Sequence, residues 1–217
     1  MKAMILCAGR GERMRPLTDT LPKPLLEVKG KPLVVWHLEK LSRLGFKDVV
    51  INIAHLGFKI PELLGDGSKW GLNIIYSDEQ REGALESAGG IKKALPFFDD
   101  DTFLVVNGDV FCDYDFDGDF DLKDKLAHLI LVPNPEHNKD GDFGLRDDFV
   151  TNIDEVNYTF SGIGYYSPKL FKNIANEKTA LAPILKKAIQ KQKISGEIYN
   201  NMWHDIGTPQ RLENINR

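Results

Sequence analysis

Between Cys7 and Pro24 the chain reads CAGRGERMRPLTDTLPKP. Two glycines, three arginines and a lysine set between two prolines share one connection directly after the first apolar run. A glycine-rich loop at the end of a leading strand turns successive backbone N–H groups inward, and such a nest takes an anion, most naturally phosphate. Lys23 sits in Pro22-Lys23-Pro24, where each proline fixes its own φ and biases its predecessor toward extended geometry. That rigidity aims the ammonium in one direction. Two familiar phosphate loops do not fit: the dinucleotide fingerprint needs a third glycine where Met14 stands, and a Walker loop needs Gly-Lys followed by Ser or Thr.

Such a loop works only if regular elements hold it. MKAMILC is a short apolar run bounded by the loop, as a buried strand would be. Val34, Val35, Leu38, Leu41 and Leu44 then recur at helical spacing, with Gly45 at the place of a C-terminal cap. KDVVINIAH, LNIIYSDE and DTFLVVNGD read as further strands, separated by helical stretches in GFKIPELLG and in SAGGIKKALPFF, which Pro96 ends. Strands alternating with helices predict a doubly wound, mostly parallel sheet with right-handed crossovers, whose ligands sit at the carboxyl ends of the strands. The second half is less regular. AHLILVP and TFSGIGYYS are strands, GDFGL and FVTNI pair as a hairpin, and TALAPILKKAIQKQ and PQRLENIN carry helical stripes. At 217 residues without a linker-like stretch, one α/β domain is expected.

The charge balance localises the chemistry. With 28 Lys and Arg against 32 Asp and Glu, the net charge of -4 argues against a nucleic-acid surface. Between residues 10 and 31, however, six basic residues (Arg10, Arg13, Arg15, Lys23, Lys29, Lys31) face three acidic ones (Glu12, Asp19, Glu27), which focuses a positive field on one spot. No apolar stretch approaches the roughly 18 residues of a membrane span, and Cys7 and Cys112 read as reduced thiols. A cytoplasmic protein that binds neither membrane nor nucleic acid is expected.

Leu6 to Thr18, followed by Pro22-Lys23-Pro24, resembles the signature of the sugar-1-phosphate nucleotidyltransferases, and further matches near residues 85, 109 and 205 extend the resemblance along nearly the whole chain. Members of that family join a nucleoside triphosphate to a sugar 1-phosphate and release pyrophosphate. The resemblance implies a single Rossmann-like domain of the nucleotide-diphospho-sugar transferase (GT-A-like) type, with residues 1–110 holding the nucleotide and 111–217 the sugar. It implies a nucleotide contact set of Ala8, Gly9, Arg10, Gly11, Glu12, Arg13 and Lys23. Leu85-Glu86-Ser87-Ala88-Gly89-Gly90 resembles the family's base loop, often Leu-Gly-Thr-Ala-Gly-Ala, so Ser87, Ala88 and Gly89 join that set, with Glu86 in a glycine's place. Lys23, Arg13 and Asp109 are the implied catalytic groups. Asp109 and Asp205 are the implied ligands of Mg²⁺, which takes oxygen donors from one or two carboxylates plus substrate phosphates.

On the sugar side the candidates are Asn107, Asp142, Glu155 and Gly162. Thymidylyltransferases of this fold often carry Glu-Lys-Pro where this chain reads Glu155-Val156-Asn157, so the resemblance points elsewhere. Compact members that act on UTP and N-acetylmuramate α-1-phosphate in cell-wall sugar recycling are the most similar, with mannose-1-phosphate guanylyltransferases as the alternative. A monomer or weak homodimer is expected. One competing reading belongs to another class. Asp113, Asp115, Asp117, Gly118, Asp119, Asp121 and Asp124 nearly match a calcium-binding loop, which would make the chain a non-catalytic regulatory module. Asp124 stands where that loop needs glutamate, and a strand precedes it instead of a helix, so a solvated acidic loop is the plainer expectation. The five histidines show no zinc-like spacing.

Overall fold

The computed structural model describes residues 1–217. In chain order the first half holds β1 (Lys2–Leu6), β2 (Glu27–Val28), β3 (Lys31–Pro32), α1 (Leu33–Arg43), β4 (Asp48–Ile53), α2 (Lys59–Leu64), β5 (Asn73–Asp78), α3 (Glu86–Ala94) and β6 (Phe103–Asn107). The second half holds β7 (Val110–Cys112), β8 (Ala127–Val132), β9 (Phe143–Arg146), β10 (Phe149–Thr151) and β11 (Asn157–Tyr166). It ends with α4 (Leu181–Ile189), β12 (Ile194–Ile198), β13 (Trp203–Asp205) and α5 (Pro209–Asn216).

Nine strands form one sheet in the order β5-β4-β1-β6-β11-β8-β12-β10-β9. The first four are parallel, as the alternating pattern predicts. From β11 onward the sheet is mixed: β11 runs antiparallel to both β6 and β8, whereas β12 is parallel to β8. The one strand inserted between β6 and β8 therefore runs against both of its neighbours, which breaks the parallel pattern in the middle of the sheet. β9 and β10 pair as the expected hairpin.

Side chains alternate across the sheet, so each strand feeds two cores. Ala3 and Ile5 pack with Val34, Leu38 and Leu41 of α1. Met4 and Val50 pack on the other face with Ile91 of α3 and Leu185 of α4. Parallel strands covered on both faces must be apolar throughout, so a polar residue in one of them asks for a reason. The register lines up Leu6 with Asn52 of β4 and with Asn107 of β6, which sets two asparagines beside the point where the glycine loop departs. No helix is long and apolar enough to cross a membrane.

Candidate active site

The loop leaves β1 and reaches Lys23 through three single 3-10 turns, at Glu12–Met14, Leu17–Asp19 and Lys23–Leu25. Gly11 takes φ 65, and a Cβ there would stand 2.9 Å from Thr18 Cγ2 while Thr18 Oγ1 donates to the Gly11 carbonyl at 2.8 Å. Only glycine meets both demands cheaply. Met14, which replaces the third glycine of a dinucleotide loop, is fully buried with Leu26, Val28, Leu33 and Ile206. It fastens the loop to the end of the chain.

A cavity of about 590 Å³ opens beside this loop. One wall is the backbone from Cys7 to Arg13, with Lys23 and Pro24 behind it. Asn52, Asn107 and Asp109 enter from the strand ends, and Ala84, Glu86 and Ser87 from the start of α3. Arg10 and Arg13 border the cavity and form no ion pair within the chain. Lys23, its side chain 12% exposed, extends Nζ to within 2.5 Å of Asp109 Oδ2. The loop, the proline-framed lysine and Asp109 are therefore brought together as the sequence predicts.

Asp205 lies near Asp109 because β13 pairs with β7: Asp205 stands opposite Val110, and the Ile206 amide donates to the Asp109 carbonyl at 2.8 Å. Each carboxylate already meets a cation. Asp109 has Lys23, and Asp205 receives a hydrogen bond from Arg211 and lies 3.1 Å from His137 Nε2. Two carboxylates, Asp109 in the turn before β7 and Asp205 at the end of β13, with no cluster of three or more His, Cys, Asp or Glu, fit a hard divalent ion that draws its other oxygens from substrate and water. His137 had no signal in the sequence, because its partner lies far along the chain.

Beneath the loop is a buried polar relay that composition and spacing do not announce. Asn52 Oδ1 accepts from the Cys7 amide at 2.8 Å, and Asn52 Nδ2 donates to Glu79 Oε1 at 2.8 Å. Glu79 Oε2 in turn accepts from the Leu85 amide at 2.8 Å. Glu79 is fully buried, and burial pushes its carboxyl above the ordinary glutamate range while the Leu85 and Asn52 hydrogen bonds pull it back. The relay ties the phosphate-type loop of β1 to the segment that starts α3. An asparagine inside the apolar run VVINIAH was the one available hint.

Four of the expected nucleotide and sugar contacts are not at the cavity, and Asp205 stands just outside it, where Gly207 forms the lining. The Ala88 and Gly89 amides both donate to the Thr179 carbonyl, at 3.0 and 3.1 Å, and both residues are buried. The small residues have other causes: a Cβ on Gly89 would stand 2.5 Å from the Glu177 carbonyl, and one on Gly90 would stand 2.7 Å from Glu79 Oε1. Asp142 points into its own loop, where Oδ2 accepts from the Phe160 amide at 2.8 Å and from Asn138 at 3.2 Å. Glu155 is exposed on the β10–β11 turn beside Asp154, which Arg146 grips. Gly162 reaches the site indirectly. It takes φ 80 at the bulge in β11, and a Cβ there would lie 2.5 Å from Asn107 Nδ2, so the glycine makes the room that lets the amide border the cavity.

The acidic run spends its carboxylates on neighbours. Asp115 pairs with Arg43 at 2.6 Å, Asp124 with Lys125 and Lys193, and Asp117 and Asp121 accept from the amides two residues on. That is the hydrogen-bonding habit of turn aspartates.

A parallel half-sheet with a glycine loop, an aimed lysine and paired aspartates at its carboxyl edge defines a nucleotide-handling α/β enzyme. The chain belongs to the nucleotidyl transferase family, whose model matches residues 2–217, and within it to the sugar-1-phosphate nucleotidyltransferases. It is 52% identical over 223 residues to the N-acetylmuramate alpha-1-phosphate uridylyltransferase of Neisseria meningitidis, covering 98% of this chain and 96% of that protein. It is 32% identical to the bifunctional protein GlmU of Methanocaldococcus jannaschii over the whole of this chain and 54% of that one. The fold matches a Bacillus anthracis structure described as a glucose-1-phosphate thymidylyltransferase, with a TM-score of 0.85, 22% identity and coverage of 100% of this chain and 94% of that one. Enzymes of the family generally work with a divalent metal.

Proposed function

We propose that this enzyme joins UTP to N-acetylmuramate α-1-phosphate, releasing pyrophosphate and forming the uridine diphosphate sugar, in cell-wall sugar recycling. The observation that carries the reading is the Lys23–Asp109 pair, set at 2.5 Å on a cavity whose other wall is the glycine loop. The relative at 52% identity supports the choice of substrates.

The reaction brings two polyanions together, so positioning and charge neutralisation supply most of the catalysis. The Gly9–Glu12 amides cradle the triphosphate, and Arg10 and Arg13, free of internal partners, add charge. Lys23 stabilises the negative charge that grows on the transferred phosphorus and the leaving group. Asp109 and Asp205 hold Mg²⁺, which when bound neutralises phosphate charge as a Lewis acid. Ala8 and Ser87 border the nucleoside, and Asn107, seated on Gly162, donates to the sugar phosphate or its hydroxyls. In this reading residues 1–110 of the single domain serve the nucleotide and 111–217 the sugar. The enzyme acts in the cytoplasm as a monomer or weak homodimer, since one copy carries every group named.

The test is a pyrophosphate-release screen of four nucleoside triphosphates against a panel of sugar 1-phosphates. UTP with N-acetylmuramate 1-phosphate is the expected best pair. A preference for GTP with mannose 1-phosphate would overturn the substrate assignment and leave the class of reaction standing.

A further inference from the structure

Seven residues other than glycine take a positive φ, and among them Glu86 alone borders the cavity. At φ 61 its backbone is in the left-handed region, which glycine enters freely and a long side chain enters only at a cost. Strain of this kind persists where the surrounding structure holds it, and it gathers at ligand sites. Here the hold is visible. Leu85 is fixed on both sides, its amide donating to Glu79 and its carbonyl accepting from Thr179 at 2.9 Å, so residue 86 has no freedom to relax.

The side chain so placed is a carboxylate on the α3 side of a cavity whose loop side carries Arg10, Arg13 and Lys23 against one exposed acid of its own, Glu12. Its nearest opposite charge is Lys178, 3.6 Å away and 69% exposed, a loose pair at the rim. Asp109, by contrast, is neutralised by Lys23. Arg10, Arg13 and Lys23 come from the loop and its following turn, whereas Glu86 comes from the start of α3. A triphosphate is drawn to the first group and repelled by the second. The end of a nucleotide that meets Glu86 must therefore be the nucleoside, and a carboxylate only accepts hydrogen bonds.

We propose that Glu86 selects the base by accepting the ring N–H on its pairing edge. Uracil offers N3–H and guanine offers N1–H with an amino group, whereas cytosine and adenine present a lone pair at the corresponding ring nitrogen. A carboxylate facing that lone pair loses a hydrogen bond and adds repulsion, which rejects the wrong base more strongly than a missing apolar contact does. The inference rests on the proposed uridylyl transfer for the identity of the base, though not for the sign of the selection.

The experiment measures the dissociation constants of UTP, GTP and CTP by calorimetry, with Mg²⁺ and without sugar phosphate, for the wild type, Glu86→Gly and Glu86→Gln. Wild type should prefer UTP to CTP by about tenfold or more. Glu86→Gly should bring the two within about threefold without lowering the melting temperature, because glycine relieves the left-handed backbone. Glu86→Gln should tighten CTP specifically, since an amide donates to the cytosine lone pair. If wild type prefers UTP and both variants keep the same ratio, Glu86 is not the selector and the uridylyl reading stands. If wild type prefers GTP and Glu86→Gly abolishes that preference, Glu86 is the selector and the uridylyl reading falls.

Discussion

Lys23→Ala should lower the rate of pyrophosphate release by about two to three orders of magnitude while the protein stays folded. Pro22 and Pro24 are buried on either side of Lys23, so the backbone that presents the side chain does not depend on the ammonium itself. The ammonium ends 2.5 Å from Asp109 Oδ2 and borders the cavity. Without it the cavity loses its one nearly buried cation where negative phosphate has to approach, so ground-state binding and charge stabilisation both suffer. A partly exposed ion pair contributes only about 0–1 kcal/mol to folding, so the melting temperature should move little. Lys23→Arg should not rescue turnover, because a planar fork does not replace a compact point charge in a fixed 12%-exposed slot. Turnover within about threefold of wild type would remove Lys23 from the chemistry.

The second large effect concerns a residue outside the cavity. Glu79→Gln is nearly isosteric, yet it should cost about 1–3 kcal/mol of stability and lower the melting temperature by about 3–9 °C. Both carboxylate oxygens receive donors, Asn52 Nδ2 and the Leu85 amide. A glutamine has one oxygen, and turning either way it sets an NH₂ against a donor. Asn52 cannot flip to compensate, since its own oxygen already accepts from the Cys7 amide. The damage reaches both walls of the cavity, so UTP should bind more weakly as well. Acidity gives a further readout. Burial raises the folded-state pKa of Glu79 above its unfolded value, so the folded protein holds that proton more tightly than the unfolded chain does. The stability this contributes is full below the ordinary glutamate range and is lost as pH rises through the raised value; Glu79→Gln should flatten that part of the profile. A melting temperature equal to wild type across mildly acidic pH would contradict the relay.

The parallel half of the sheet was legible because its central strands are buried on both faces and therefore carry unbroken apolar runs, as in AMIL and FLVV. α1 was legible from its stripe, and the aim of Lys23 from the two prolines. What escaped depends on pairing across long stretches of chain. β12 reads Ile-Ser-Gly-Glu-Ile, too polar to mark a strand, and it is one because Gly196 lets Val150 pack 2.7 Å from where a Cβ would be. β13 forms only against β7, and that pairing, not local sequence, carries Asp205 to Asp109. The glycines after Ser87 resemble a base loop, and nothing in the sequence signalled that their smallness also makes room for the Glu177 carbonyl and Glu79. Glu79 itself, in the ordinary string Ser77-Asp78-Glu79-Gln80, had no signal that separated a buried linchpin from a surface acid.

One measurement bears most directly on the whole account: anomalous diffraction from crystals grown with UTP and Mn²⁺ in place of Mg²⁺. The expected result is a manganese peak ligated by Asp109 and Asp205, with the triphosphate lying along the Gly9–Glu12 amides. A peak in the Asp113–Asp124 loop, or a triphosphate bound away from the glycine loop, would contradict it.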